Sequence, residues 1–287
     1  MKKDVFFRLA LMMFSIGLFN SPNGFAQEDL SMYLKDRGTG LPTSLFGTYV
    51  RKGELLVYPF FEYYLDNNAE YKPAELGYGL DEDFRGKYRA QEGLIFVSYG
   101  ISSWLAIELE AAVIKAALEK SRDDPSRTPN KIEESGLGDV DGQLRARWTR
   151  ENESRPEIFS YFEVVTPNRD KVLIGTPDWE FKFGTGLTRG FSWGTMTLRA
   201  AVEYPLEEST LALGEYAVEY LKRLSSSWRV YLGVEGTEDE VELITEAQWH
   251  LSDSIFFKFN NGFGMTSKAT DWAPEIGFMF SFPVQNK

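Results

Sequence analysis

Along most of the chain, apolar residues recur at every second position, the spacing of a strand with one face against an apolar phase and the other against water. Leu105, Ile107, Leu109, Ala111 and Val113 share one face, with Glu108 and Glu110 on the other. Further on, Val140, Gly142, Leu144, Ala146 and Trp148 oppose Asp139, Asp141, Gln143, Arg145 and Arg147. Charges of both signs on one face are unusual in a soluble core. The same test along the chain predicts twelve strands, over 54–64, 88–101, 105–118, 138–149, 158–166, 178–188, 195–204, 213–222, 228–236, 241–250, 255–264 and 274–282. Most have about nine to eleven residues, the length with which a tilted strand crosses a bilayer. An even number suits a closed barrel with both termini in the periplasm. The expected fold is therefore all-β: a transmembrane antiparallel β-barrel in the outer membrane of a Gram-negative bacterium.

Connector lengths agree with this orientation, since such barrels join their strands by short periplasmic turns and longer external loops. Short connectors at 102–104, 150–157, 189–194, 224–227 and 251–254 alternate with a generally longer set at 65–87, 119–137, 167–177, 205–212 and 265–273; 237–240 breaks the rule. Trp104, Trp148, Trp193, Trp228 and Trp249 all fall near the short turns, where indole rings would meet lipid head groups. The last strand aligns Ile276, Phe278, Phe280 and Phe282, resembling the terminal aromatic signal read by barrel-assembly machinery. Pro59 removes a ladder donor from the first strand, so a bulge is expected there.

The chain opens with Lys2, Lys3 and Arg8, then an apolar run over 9–19 too short to span a bilayer. Gly24 and Ala26 follow in the places of a signal-peptidase site, which predicts a leader over 1–26 and a mature chain from Gln27. The segment 27–53 lacks strand alternation before Ser44 and is expected as a periplasmic tail. An inward plug is the alternative, and it would have to satisfy its own backbone groups inside the barrel. The barrel then occupies 54–282 and a short tail 283–287.

Composition narrows the function further. There are no cysteines, which excludes disulfides, thiolate metal sites and a lipid-bearing cysteine at the cleavage site. The net charge of -12 argues against nucleic acid as a partner, and loss of the leader makes it more negative still. Aromatic residues make up 15% of the chain and arrive on the alternating segments, as lipid-facing strands require.

Several pieces of these strands resemble the outer-membrane transporter family named for a phenol-degradation meta-pathway. They are Pro59-Phe60-Phe61-Glu62-Tyr63-Tyr64, Tyr99-Gly100-Ile101, Gly136-Leu137-Gly138-Asp139-Val140 and Val164-Val165-Thr166-Pro167. The resemblance spans roughly 53–282. It implies a barrel that passes or senses small, often hydrophobic molecules, and it transfers no catalytic residues. Where the family tends to show Pro-Thr-Gly, this chain has Thr166-Pro167-Asn168.

No catalytic, metal or cofactor site is expected. His250 and Ser252 share a strand face, as base and nucleophile do in outer-membrane phospholipases. That pair would sit at the periplasmic end, away from the external leaflet, and has no orienting partner. Acid clusters at Asp81-Glu82-Asp83, Asp123-Asp124, Glu207-Glu208 and Glu238-Asp239-Glu240 read as solvated external loops near lipopolysaccharide. Gly184, Gly186 and Gly190 lie within a strand and read as room for side chains from opposite walls, not as a nucleotide loop.

The polar parity carries the remaining signal. It places fourteen acids towards the lumen: Glu62, Glu108, Glu110, Asp139, Asp141, Glu163, Glu180, Glu203, Glu215, Glu219, Glu235, Glu242, Glu246 and Glu275. Six bases face them: Arg145, Arg147, Lys182, Arg199, Arg229 and Lys258. One-for-one pairing leaves about eight acids, too many for a dry plug, so water and a preference for cations are expected in a passive channel or facilitated-diffusion pore for a small solute. A barrel without a pore, serving structure or interaction, is the rival reading.

Overall fold

Each alternating segment carries unpaired backbone donors and acceptors on both edges, and within lipid these must be satisfied by neighbouring strands. The computed structural model describes residues 30–207 and 209–283, so the leader and residues 284–287 lie outside the described residues. A small hairpin, β1 (Leu41–Pro42) and β2 (Tyr49–Val50), precedes the barrel. The wall begins with β3 (Glu54–Tyr71), β4 (Phe84–Gly100), β5 (Leu105–Glu119), β6 (Lys131–Thr149), β7 (Glu157–Thr166) and β8 (Glu180–Phe191). It continues with β9 (Gly194–Pro205), β10 (Ala212–Arg223), β11 (Trp228–Gly236), β12 (Val241–His250), β13 (Ile255–Gly264) and β14 (Ala273–Pro283). Each strand pairs antiparallel with its sequence neighbours and β14 returns to β3, closing a twelve-stranded barrel.

The strand faces follow the alternation. Leu109 and Val113 are 54% and 64% exposed on the outer wall, whereas Glu108, next to Leu109 in the chain, is 2% exposed. Two expected external loops are partly strand, because β3 runs on to Tyr71 and β6 starts at Lys131. Beyond the apolar belt both strand faces are polar, as at Asn67 and Asn68, and the alternation that marks a strand disappears.

The bulge expected at Pro59 is elsewhere. Pro59 pairs in register with Ile95 on β4, and the register of β14 against β3 is the same on either side of it. The β14 ladder instead skips Tyr58 and Pro59, since proline has no N–H to contribute there. Bulges occur at Asp66–Ala69 on β3 and in β6, where Gly138 and Asp139 together oppose Ala112. The β6 bulge re-aims the strand within Gly136-Leu137-Gly138-Asp139-Val140.

The expectation of a periplasmic tail is corrected: residues 30–53 fold into the barrel from the end that carries the chain termini. Their backbone groups find partners that the sequence alone did not reveal. Leu41 pairs with Val50 and Pro42 with Tyr49, while Thr43 and Thr48 close the tip. Barrel side chains add further partners, with Arg145, Arg147, Gln248 and Lys258 donating to carbonyls of Pro42, Gly40, Gly47 and Phe46. Two wall glycines admit the segment. A Cβ on Gly190 would lie 1.9 Å from the Tyr33 carbonyl oxygen, and one on Gly100 would lie 2.0 Å from that of Arg51.

Candidate functional site in the barrel lumen

The inward side chains are the even or odd partners of the lipid-facing ones, so strand register decides which charges meet. Arg145, 1% exposed, lies 3.3 Å from Glu108 and sits over the Tyr161 ring at 4.8 Å. Glu108 also accepts from the amide and hydroxyl of Ser44 at the hairpin tip, at 2.9 and 2.7 Å. Arg199 gathers three acids from neighbouring strands, Glu215 and Glu219 at 2.7 Å each and Glu235. Phe46 of the hairpin lies beneath the Arg199 guanidinium at 5.8 Å and against Tyr231 at 5.3 Å. Lys182 bridges Glu163 and Glu215, and Lys258 pairs with Glu246 at 2.9 Å.

At the terminus-bearing end, Arg147 lies 3.2 Å from Glu157. Arg37 of the inserted segment lies 2.9 Å from Glu151 and 3.0 Å from Glu157, with all three side chains almost fully buried. Asp36 completes the attachment, accepting from the Arg223 amide at 2.9 Å and lying 3.4 Å from Lys222.

Above the hairpin tip the lumen opens into a cavity of about 310 Å³. Eight carboxylates line it: Glu62, Glu108, Glu110, Asp141, Glu163, Glu235, Glu242 and Glu275. Glu108, Glu163 and Glu235 have the basic partners described above. Glu62, Glu110, Asp141, Glu242 and Glu275 have no ion pair among the described residues; Glu275 accepts instead from Tyr58 and Asn260. Phe46, Phe60, Phe96 and Tyr64 add aromatic surface to the same walls. Carboxylates without basic partners favour cations, and aromatic rings complement a cation with an apolar body.

The connector 167–179 covers part of the external mouth. Ile174, 5% exposed, packs on Ala90 and Ala116 with Tyr64 and Tyr88 around it. Glu134 accepts from the amides of Val172 and Leu173, and Asp139 from the Thr176 amide at 3.0 Å. Asp139 therefore anchors this connector. Glu180 and Glu203 are half-buried near the same end and make no ion pair among the described residues. Arg229 is partly buried, and its Nε has no hydrogen-bond partner.

Register accounts for the glycines of β8 differently from the sequence reading. Tyr161 pairs with Gly184 and Phe159 with Gly186, so these rings lie over glycines of the adjacent strand, not across the lumen. Trp104, Trp148, Trp193 and Trp249 are exposed on the outer wall at the terminus-bearing end. Trp228 stacks on Trp249 at 5.9 Å, and Trp193 stacks on Phe191 and Tyr220. His250 stacks on Phe256 at 4.7 Å and makes no hydrogen bond to Ser252. Among the described residues no three or more His, Asp or Glu side chains are grouped so as to hold a metal ion.

The inserted residues Arg37, Ser44 and Phe46 escaped the sequence reading because they lie outside the alternating strands.

No family model matches the chain, and no curated protein matches it. Among solved structures it is similar to an outer-membrane channel from Pseudomonas putida F1, with 12% identity and a TM-score of 0.57 over 80% of this chain and 96% of that one. It is also similar to the KdgM porin, with 8% identity and a TM-score of 0.49 over 79% and 99% of the two chains. The toluene transporter TbuX of Ralstonia pickettii aligns at 7% identity and a TM-score of 0.42, over 82% and 90%. The first of these likenesses shows the fold: the chain is a closed antiparallel β-barrel of the kind seen in that outer-membrane channel.

Proposed function

We propose that the protein is a passive outer-membrane channel for a small solute, with the acidic cavity as its selective segment and the N-terminal hairpin as its closure. The observation that carries this reading is the cavity itself, where five carboxylates without ion pairs line open space in the middle of a closed barrel. A wall built only for strength would fill that space with apolar side chains or paired charges. The preferred solute carries positive charge or hydrogen-bond donors, and the aromatic walls accommodate an apolar or aromatic body. The resemblance to the phenol-degradation transporters supports such a body.

In this reading residues 1–26 direct export, and Phe278, Phe280 and Phe282 present the chain to barrel-assembly machinery. The tryptophans Trp104, Trp148, Trp193, Trp228 and Trp249 hold the periplasmic rim at the head groups. The external loops meet lipopolysaccharide. The hairpin seated in the lumen favours one second reading, a barrel that never conducts and serves structure alone.

Reversal potential across a planar bilayer in a salt gradient tests the proposal. Cation preference is expected, and Glu110→Gln with Asp141→Asn should weaken it. These two are better probes than Glu108, which is occupied by Arg145 and Ser44. Anion preference would contradict the cavity's role, and absence of current in the full chain and in one lacking the hairpin would establish the structural reading.

A further inference from the structure

Below the hairpin, at the terminus-bearing end, lies a second cavity, of about 480 Å³. Its charge is opposite to that of the lumen above. Arg37, Arg51, Lys52, Arg147 and Arg150 line it against only Glu151 and Glu157. This is a local reversal in a chain of net charge -12. Arg37 and Arg147 share Glu157, and Arg51 pairs with Glu54. Lys52 and Arg150 have no ion pair among the described residues. Arg37 is 3% exposed, and its Nε and Nη1 have no hydrogen-bond partner.

A guanidinium has five donors in a fixed fork that matches the oxygens of a carboxylate or phosphate, so spare donors on a buried arginine mark an incompletely satisfied oxyanion site. Ser102 and Ser103 lie on the same wall. Lys52 and Arg150 are exposed at its mouth, where an oxyanion entering from water meets them first, while Arg37 is buried behind them. We propose that this periplasmic cavity binds a small oxyanion, a phosphate or carboxylate group, between Lys52, Arg150 and the Arg37 guanidinium. The site is independent of whether the lumen conducts. It also borders the attachment of the hairpin, because Arg37 serves both.

Isothermal titration of the full mature barrel with inorganic phosphate, at constant ionic strength, tests the site. One saturable site per barrel is expected. The Lys52→Ser, Arg150→Ser double variant should weaken it at least tenfold while keeping the heat-dependent gel mobility of a folded barrel. Glu62→Gln, in the other cavity, should leave it unchanged. A head group of an anionic phospholipid offers the same phosphate, so the titration is repeated in nanodiscs with and without phosphatidylglycerol. Binding lost only in the phosphatidylglycerol discs assigns the site to lipid phosphate, and binding kept in both assigns it to a free oxyanion. No saturable binding in detergent, or equal binding by the double variant, would overturn the proposal.

Discussion

Replacing Arg37 with glutamine removes a buried cation that two buried carboxylates share. Losing one member of a buried ion pair costs about 3 to 5 kcal/mol, because the remaining charge stays desolvated. Here the lower end applies. Glu157 keeps Arg147 at 3.2 Å, and Glu151 keeps Arg189 at 3.6 Å and the Gly190 amide at 2.7 Å. A loss of about 3 kcal/mol shifts the balance between seated and released segment roughly a hundredfold. The effect is local, since Arg37 belongs to none of the twelve wall strands. Limited trypsin digestion of the folded barrel reads the released fraction through cleavage at Lys35. Cleavage there should be about a hundredfold faster in Arg37→Gln, with barrel mobility on an unheated gel unchanged. In Arg51→Gln, whose pair is 54% exposed on the arginine side, the loss is at most about 1 kcal/mol and the rate should rise less than tenfold. Equal rates in wild type and Arg37→Gln would refute the reasoning, and so would collapse of the barrel together with the segment.

Three other outcomes follow from the same geometry. A closed ladder of twelve strands should keep the unheated protein at a different gel mobility from the boiled one, and equal mobility with solubility in the absence of detergent would contradict the barrel. Leu109→Arg places charge against lipid and should destabilise by about 2 to 4 kcal/mol near the midplane, far more than Glu110→Arg, which faces the acidic cavity; urea unfolding in lipid vesicles measures both. Gly190→Val should drive Tyr33 off the wall, raising cleavage at Lys35 while leaving gel mobility intact, because the clash is with the inserted segment and not with a neighbouring strand.

The wall was readable because bilayer thickness and pleat impose a period on the residues themselves. Leu105 to Val113 shows it without help from any other strand. What escaped was anything set by contacts distant in sequence. Arg37 meets Glu151 and Glu157 more than a hundred positions away, and no local pattern announces that meeting. Pro59 looked like a defect needing a bulge, yet the closing seam simply omits the ladder there. The lumen charges divided in the same way: parity named Glu110 and Asp141, but only the register showed that Arg199 draws in Glu215, Glu219 and Glu235 together. Glu62, Glu110, Asp141, Glu242 and Glu275 are thereby left around open space.

Single-channel conductance of the full mature chain, set against the same barrel lacking residues 30–52, bears most directly on the closure and the cavity above it. The shortened barrel should carry a larger, steadier current with cation preference, and the full chain a smaller or intermittent one. Indistinguishable currents from the two proteins would contradict closure by the hairpin.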